Sequence, residues 1–274
     1  MTRELIVRHV SIVLLVSGWA NVMAVARASG AELTGPAISA WDRYVAATEA
    51  RRTRELADES RFLALDFGER AAETRRALLR GELVVVEAGD GEGIRIPGGT
   101  IHHWRAAVLV RGITIDRLLA ALRDPDEHGY APPGVLERRL LHREDHRERV
   151  FLRLRRQEIV TAVFNTEHAV EFWRHASTRA ESRSVATRIA ELTGEGDEDH
   201  EKPVGRDRGF LWRLNSYWRY EAVRGGVLVE LESVTLSRSM PGVLRPLAQP
   251  IVTRIARESI ATTLAGIRDQ LGGM

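Results

Sequence analysis

From about Val243 to Leu271 the chain carries its longest helical pattern. Leu247, Ile251, Ile255, Ser259 and Thr262 recur at three and four residues, and Ile260, Leu264, Ile267 and Leu271 widen the stripe. Pro246 and Pro250 place the start of the regular helix at about Pro250. An amphipathic helix of this length has to bury its stripe against another element. The region before it supplies a surface.

That region reads as consecutive strands, mostly linked by hairpins. A strand is expected over Thr100–Val110. A short helix follows, capped by Thr114, with Ile115, Leu118, Leu119 and Leu122 on its buried stripe, and Asp124-Pro125 ends it. Further strands are expected over Val135–Leu141, Val150–Arg156, Ile159–Asn165 running on toward Phe172 and Trp173, and Arg183–Leu192. The last two are Phe210–Glu221 and Val227–Leu236. His142 to His146 and Arg224-Gly225-Gly226 are turns, Gly194–Asp207 is a charged loop, and Met240-Pro241 ends the sheet.

Upstream, Pro36 opens a helix of about twenty residues with Ile38, Trp41, Val45 and Thr48 on one stripe. Its continuation, Arg51 to Glu59, is so charged that it is expected in solvent. A second helix covers Glu69–Arg80 and stops at Gly81. Leu83–Val86 and Ile94–Ile96 are expected to pair as a small hairpin across Gly89-Asp90-Gly91. Three segments result: 1–28, a helical extension with a small hairpin over 29–96, and the sheet with its helix over 97–274.

The first segment reads as a secretory signal peptide. Arg3 and Arg8 precede the apolar run Val10–Ala20, and Ala26-Arg27-Ala28 has the small-residue form of a cleavage site. The expected location is therefore periplasmic or extracellular, with an uncleaved anchor as the alternative. Removing residues 1–28, with Arg3, Arg8 and Arg27 against Glu4, brings the formal net charge from +2 to zero. Lys202 is the only lysine. A neutral chain without a basic block argues against nucleic-acid binding. The absence of cysteine removes thiol catalysis, thiolate zinc sites and iron–sulfur clusters.

This order of elements resembles the START-like (SRPBCC) superfamily with its α+β helix-grip fold, an antiparallel sheet wrapped around a long C-terminal helix. The resemblance covers about Gly99 to Leu271. It rests on that order and on four stretches: Gly99–Trp104 (G-T-I-H-H-W), Tyr130–Pro133 (Y-A-P-P), Gly209–Arg219 (G-F-L-W-R-L-N-S-Y-W-R) and Ser237–Pro241 (S-R-S-M-P). They are similar to those of exported bacterial members without an established function. The resemblance implies a cavity for a lipid or other hydrophobic small molecule, with no cofactor. It implies a binding or carrier protein, with transient membrane contact conceivable and no protein partner named. The alternatives are a cyclase or aromatase-like enzyme using the same cavity, and an envelope interaction module.

The last hairpin divides the candidate pocket residues into two sets. With the turn at Arg224-Gly225, Trp212, Ser216, Trp218, Leu231 and Ser233 share the inward face, joined by Trp104 from the first long strand. Arg219 then falls opposite Glu230, and Tyr217 opposite Glu232, as pairs on a solvated face. A register slipped by one residue turns Arg213, Asn215, Tyr217 and Glu232 inward instead, as a polar recognition cluster.

Catalytic and metal motifs are thin. His102 and His103 are adjacent on a strand and point to opposite faces, so they do not form a metal pair. His142 to His146 lies in a turn, not on the helix that H-E-x-x-H requires, and Gly89–Gly93 reads as a hairpin turn rather than a phosphate loop. No G-x-S-x-G elbow is present. No catalytic residue or metal ligand is assigned; Tyr217, Glu232 and His103 are the nominees for an acid or base. Arg238, Arg257 and Glu258 are nominees for the pocket mouth, with surface ion pairing as the alternative.

Overall fold

The computed structural model describes residues 30–88, 93–157, 161–194, 200–239 and 245–273. The signal segment 1–28, most of the Gly89–Gly93 turn and Met240-Pro241 lie outside them. The strands in chain order are β1 (Ala31–Glu32), β2 (Val84–Glu87), β3 (Ile94–Ile96), β4 (Gly99–Arg111), β5 (Val135–Glu144) and β6 (Arg147–Gln157). They continue with β7 (Thr161–Ala176), β8 (Arg179–Glu191), β9 (Arg206–Asp207), β10 (Arg213–Val223) and β11 (Gly226–Arg238). The helices are α1 (Gly35–Leu56), α2 (Ala71–Arg80), α3 (Ile115–Arg123) and α4 (Arg245–Leu271).

Nine strands form one antiparallel sheet in the order β2-β4-β11-β10-β8-β7-β6-β5, with β3 also on β4. β2 and β3 do not form the expected hairpin with each other. Each pairs with β4, at Val84↔Ala107 and at Ile94↔Ile101, because that long strand offers room for both along one edge. β1 pairs separately with β9 at Ala31↔Asp207, so part of the expected loop 194–207 is a short strand. The helix boundaries follow their caps. Thr34 accepts a hydrogen bond from Ala37 N at 3.4 Å, Thr114 accepts one from Arg117 N at 3.3 Å, and Gly81 ends α2 in the left-handed region.

The sheet has two covered faces. On its concave side α4 and α3 close over Trp104, Ala106, Val108 and Val110 of β4 and Val227, Val229 and Leu231 of β11. Ile260, Leu264, Ile267 and Leu271 of α4 and Ile115 and Leu118 of α3 fill that core. This is the α+β helix-grip arrangement. α4 is helical from Arg245, earlier than Pro250; Pro246 stands in its first turn, where a proline is tolerated, and Pro250 lies in its second. Its C-terminal half is fixed to the loop after α3. Gln270 exchanges two hydrogen bonds with the Ala131 backbone, at 2.9 and 3.1 Å, and a Cβ at Gly266 would stand 2.6 Å from Pro133 Cγ.

On the convex side lie α1, α2 and the turn between them. Two apolar patches meet them. Trp41 packs with Ile101, Trp212, Tyr217, Val234 and Leu236, while Phe62, Leu63, Leu65 and Leu78 pack with Ala107, Leu109 and Leu228. Between the patches, β11 presents Glu230 and Glu232, β4 presents His103 and Arg105, and β10 presents Arg219.

The close approach at Gly266 sets an expectation opposite to helix propensity. Alanine is the better helix former by about 1 kcal/mol. Gly266→Ala is nonetheless expected to lower stability by about 1–3 kcal/mol, the usual range for overpacking, in urea unfolding.

Candidate functional site

The register of the last hairpin is direct: Arg219 lies opposite Glu230 and Tyr217 opposite Glu232. Ser216, Trp218, Leu231 and Ser233 therefore share the concave face with Trp104. Trp212 does not join them. It precedes β10, its indole Nε1 donates to Asp207 Oδ1 at 3.1 Å, and its ring packs with Trp41 on the convex side. The alternation that assigned it inward stops at Arg213, where β10 begins.

Cross-strand neighbours set the concave floor in rows. One row runs Val170, Ser184, Ser216, Ser233, Trp104 across five strands; the next runs Phe172, Ser182, Trp218, Leu231, Ala106. Ser184 Oγ is 3.1 Å from His168 Nδ1, and Ser182 Oγ is 3.0 Å from Tyr220 Oη. The Trp218 and Tyr220 rings lie parallel with centroids 6.4 Å apart. The hydroxyls of Ser216 and Ser233 have no partner among the described residues. Trp104 Nε1 is buried and also has none. Leu152, Val170, Phe172, Ser184, Ser216, Trp218 and Ser233 are only half-buried, in contrast to the closed core beneath α4. At the far edge of this face Arg156 bonds Ser259 of α4, and the buried Glu148 accepts from Arg123 and Arg143.

The other predicted set, Arg213, Asn215, Tyr217 and Glu232, is on the convex face. It lies neither in a pocket under α4 nor in solvent. Arg219 and Glu232 are fully buried and Tyr217 is 1% exposed, because α1 lies over them. Arg51 and Arg52, expected in solvent, join them. Glu232 Oε1 accepts from Arg51 Nη2 at 2.5 Å, His103 Nε2 at 2.7 Å and Arg105 Nε at 2.8 Å, and Oε2 from Arg52 Nη1 at 3.5 Å. Arg219 donates to Glu55 and to the carbonyl of Phe62, and Arg52 donates to Glu181 while its guanidinium lies 4.4 Å from the Tyr217 ring centroid. Glu230 accepts from the amides of Ala64 and Leu65 at 2.7 and 2.9 Å. Tyr217 donates to Glu49, which also accepts from Arg183; Arg213 donates to the Trp212 carbonyl.

Burial opposes the charge on Glu232. The hydrogen bond from His103 and the charges of Arg105 and Arg51 nevertheless hold its carboxyl well below the usual carboxylate range. With Glu232 ionised, His103 donates from Nε2 and accepts at Nδ1 from the Tyr44 hydroxyl, 2.6 Å away. Of the acid–base nominees, His103 and Glu232 are in contact, while Tyr217 bonds Glu49 and Asn215 instead. His102 points to the other face, where Nε2 is 3.1 Å from Ser237 Oγ. Arg238 lies over the Phe210 ring, and Arg257 and Glu258 are exposed. His142 is exposed on β5, and the hairpin turns at Asp145 and His146. No group of three or more His, Cys, Asp or Glu side chains suited to a metal occurs among the described residues.

Sequence reading passed over Tyr44, Arg51, Arg52, Glu55 and His168. Arg52 and Glu55 had a visible signal. The residues buried on α1 are Ala37, Ala40, Trp41, Thr48, Arg52 and Glu55, one stripe that changes from apolar to charged. His168 lies on the expected continuation of the Ile159–Asn165 strand toward Phe172 and Trp173, but a bulge at Glu167/His168 changes the alternation there.

Replacing Glu232 by alanine strands several buried cations, and a loss of about 3–5 kcal/mol is expected in denaturant unfolding. A change below about 1 kcal/mol would show that the network contributes little. Acid sensitivity follows from the histidines. Burial, with Arg156 beside it, pushes His168 down to about 4. Burial also lowers His103, against the opposing bond and charge of Glu232. Both stay neutral where the unfolded chain already binds protons, so stability is full above the ordinary histidine value of 6.5 and falls as pH drops toward 4. The slope is about 1.4 kcal/mol per pH unit for each histidine, with Glu232 contributing only below the ordinary glutamate range. Urea midpoints between pH 7 and 4.5 should show it, and His168→Gln should flatten it; an unchanged slope in that variant contradicts the assignment.

No protein-family model matches the chain, and no curated protein matches it. Solved structures similar to it include a protein from Thermus thermophilus, at a TM-score of 0.43 and 15% identity over 62% of this chain and 96% of that one. A STAR-related lipid transfer protein from Xanthomonas axonopodis is similar at 0.40 and 18% identity, covering 68% and 98%. The Zhui aromatase/cyclase of a Streptomyces species is similar at 0.40 and 13% identity, covering 62% and 93%.

Proposed function

We propose that the chain is an exported binding or carrier protein that holds a lipid or other hydrophobic small molecule between the concave face of the sheet and α4. One observation carries this reading: the row Ser184, Ser216, Ser233, Trp104. It places hydroxyls and an unpartnered indole N–H on a floor otherwise made of Leu152, Val170, Phe172, Trp218 and Leu231. A buried N–H without an acceptor costs about 1–3 kcal/mol, and a ligand carbonyl or hydroxyl would recover it. The rest of such a ligand would rest on Trp218 and Phe172, which are half-buried in the protein alone. An apolar floor with a few fixed polar groups selects orientation as well as hydrophobicity. Holding is favoured over conversion because Glu232, the acid–base nominee with the strongest partners, faces the opposite side of the sheet. Export rests on the signal-like segment 1–28.

Native mass spectrometry of protein purified from its own host, before and after organic extraction, tests the reading. An apolar molecule of discrete mass is expected in the first spectrum and absent from the second. Titration with cis-parinaric acid after extraction should saturate. Ser216→Phe should abolish that binding at a stability cost below about 1 kcal/mol, since the added ring enters ligand space rather than packed core. Trp104→Phe should weaken it about tenfold in a variant that stays folded. No co-purifying molecule and no saturable probe binding would sink the proposal.

A further inference from the structure

An open cavity lies on the convex side of the sheet. It is a cleft of about 390 Å³ between α1 and β4, lined by Tyr44, Ala47, Thr48, Arg51, Ala88, His103 and Arg105. That volume is within the range of small-molecule sites. Its polar groups are arranged by the Glu232 network behind them. Arg105 commits only Nε to Glu232, so both of its Nη groups have no hydrogen-bond partner among the described residues. Thr48 is 5% exposed, and its hydroxyl likewise has none. Tyr44 gives its proton to His103 and keeps its lone pairs toward the cleft.

We infer that this cleft binds a small organic monocarboxylate, held end-on by the Arg105 guanidinium and by the Thr48 hydroxyl. The charge of the lining supports an anion. Arg51 and Arg105 line the cleft and no carboxylate does; Glu55 and Glu232 meet them from behind. Glu230 lies farther along β11, opposite Arg219 and bonded to two backbone amides, and Glu87 on β2 pairs at a position of the opposite face. The two Nη groups of one guanidinium match the two oxygens of a carboxylate. Ala47, Ala88 and the Tyr44 ring give an apolar wall for the remainder of the molecule. The site is distinct from the concave floor and does not depend on it.

Calorimetric titration of the full chain with benzoate, with benzamide as the neutral counterpart, tests the inference. Benzoate should bind saturably and benzamide should not. Arg105→Gln should weaken benzoate roughly tenfold or more, the factor associated with a charge-assisted hydrogen bond. Thr48→Val, which leaves every salt bridge in place, should weaken it about two- to tenfold. Ser216→Phe on the other face should leave it unchanged. Absence of saturable benzoate binding, or binding unaffected by Thr48→Val in a folded variant, overturns the site. Inorganic phosphate binding more tightly than benzoate overturns the monocarboxylate assignment.

Discussion

One buried carboxylate organises the molecule. Glu232 sits at the centre of the last strand, on the face that would otherwise be the outside of the sheet, with Arg51, Arg52, His103 and Arg105 around it. A buried glutamate without such partners would give up its charge, and buried arginines without it would be stranded. Each group is tolerable only because the others are present. The N-terminal helix therefore does more than shield the sheet. It supplies Arg51, Arg52 and Glu55, half of the charge compensation for residues more than a hundred positions away.

This arrangement separates two tasks. The position of α1 is set on the convex side, by ion pairs flanked by the apolar patches around Trp41 and around Phe62. Beside the core under α3 and α4, the concave side carries serines, half-buried aromatics and an unsatisfied indole N–H, which add little to stability and suit a ligand. The polarity of the hydrogen bonds is also fixed. With Glu232 ionised, the proton order runs from Tyr44 to His103 to Glu232, and the cleft sees acceptor lone pairs on Tyr44 beside donors on Arg105 and Thr48.

Much of this was legible in the sequence because a period-2 pattern states which residues share a face. The turn at Arg224-Gly225 was enough to place Arg219 opposite Glu230 and Ser216 opposite Ser233. The pattern could not say which face meets water. Alternating Arg, Tyr and Glu reads as a wet surface, and only the charged half of α1, with Arg52 and Glu55 continuing the stripe of Trp41 and Thr48, hinted at a matching partner. Trp212 failed for a different reason: alternation holds within a strand, and it lies one residue outside β10. His168 was hidden by a bulge, which changes the phase of the pattern.

The salt bridge between Arg51 and Glu232 joins residues 181 positions apart. α1 is made well before β11, so the helix lacks its docking surface until that last hairpin has closed. A wholly apolar stripe would be exposed through that interval and prone to association. The stripe of α1 is apolar only around Trp41 and is charged from Arg51 onward, so half of it stays hydrated while the sheet assembles. The same charges that cost desolvation in the finished fold thus keep the first helix soluble before its partner exists, and they make docking of the N-terminal layer a late, long-range step in folding.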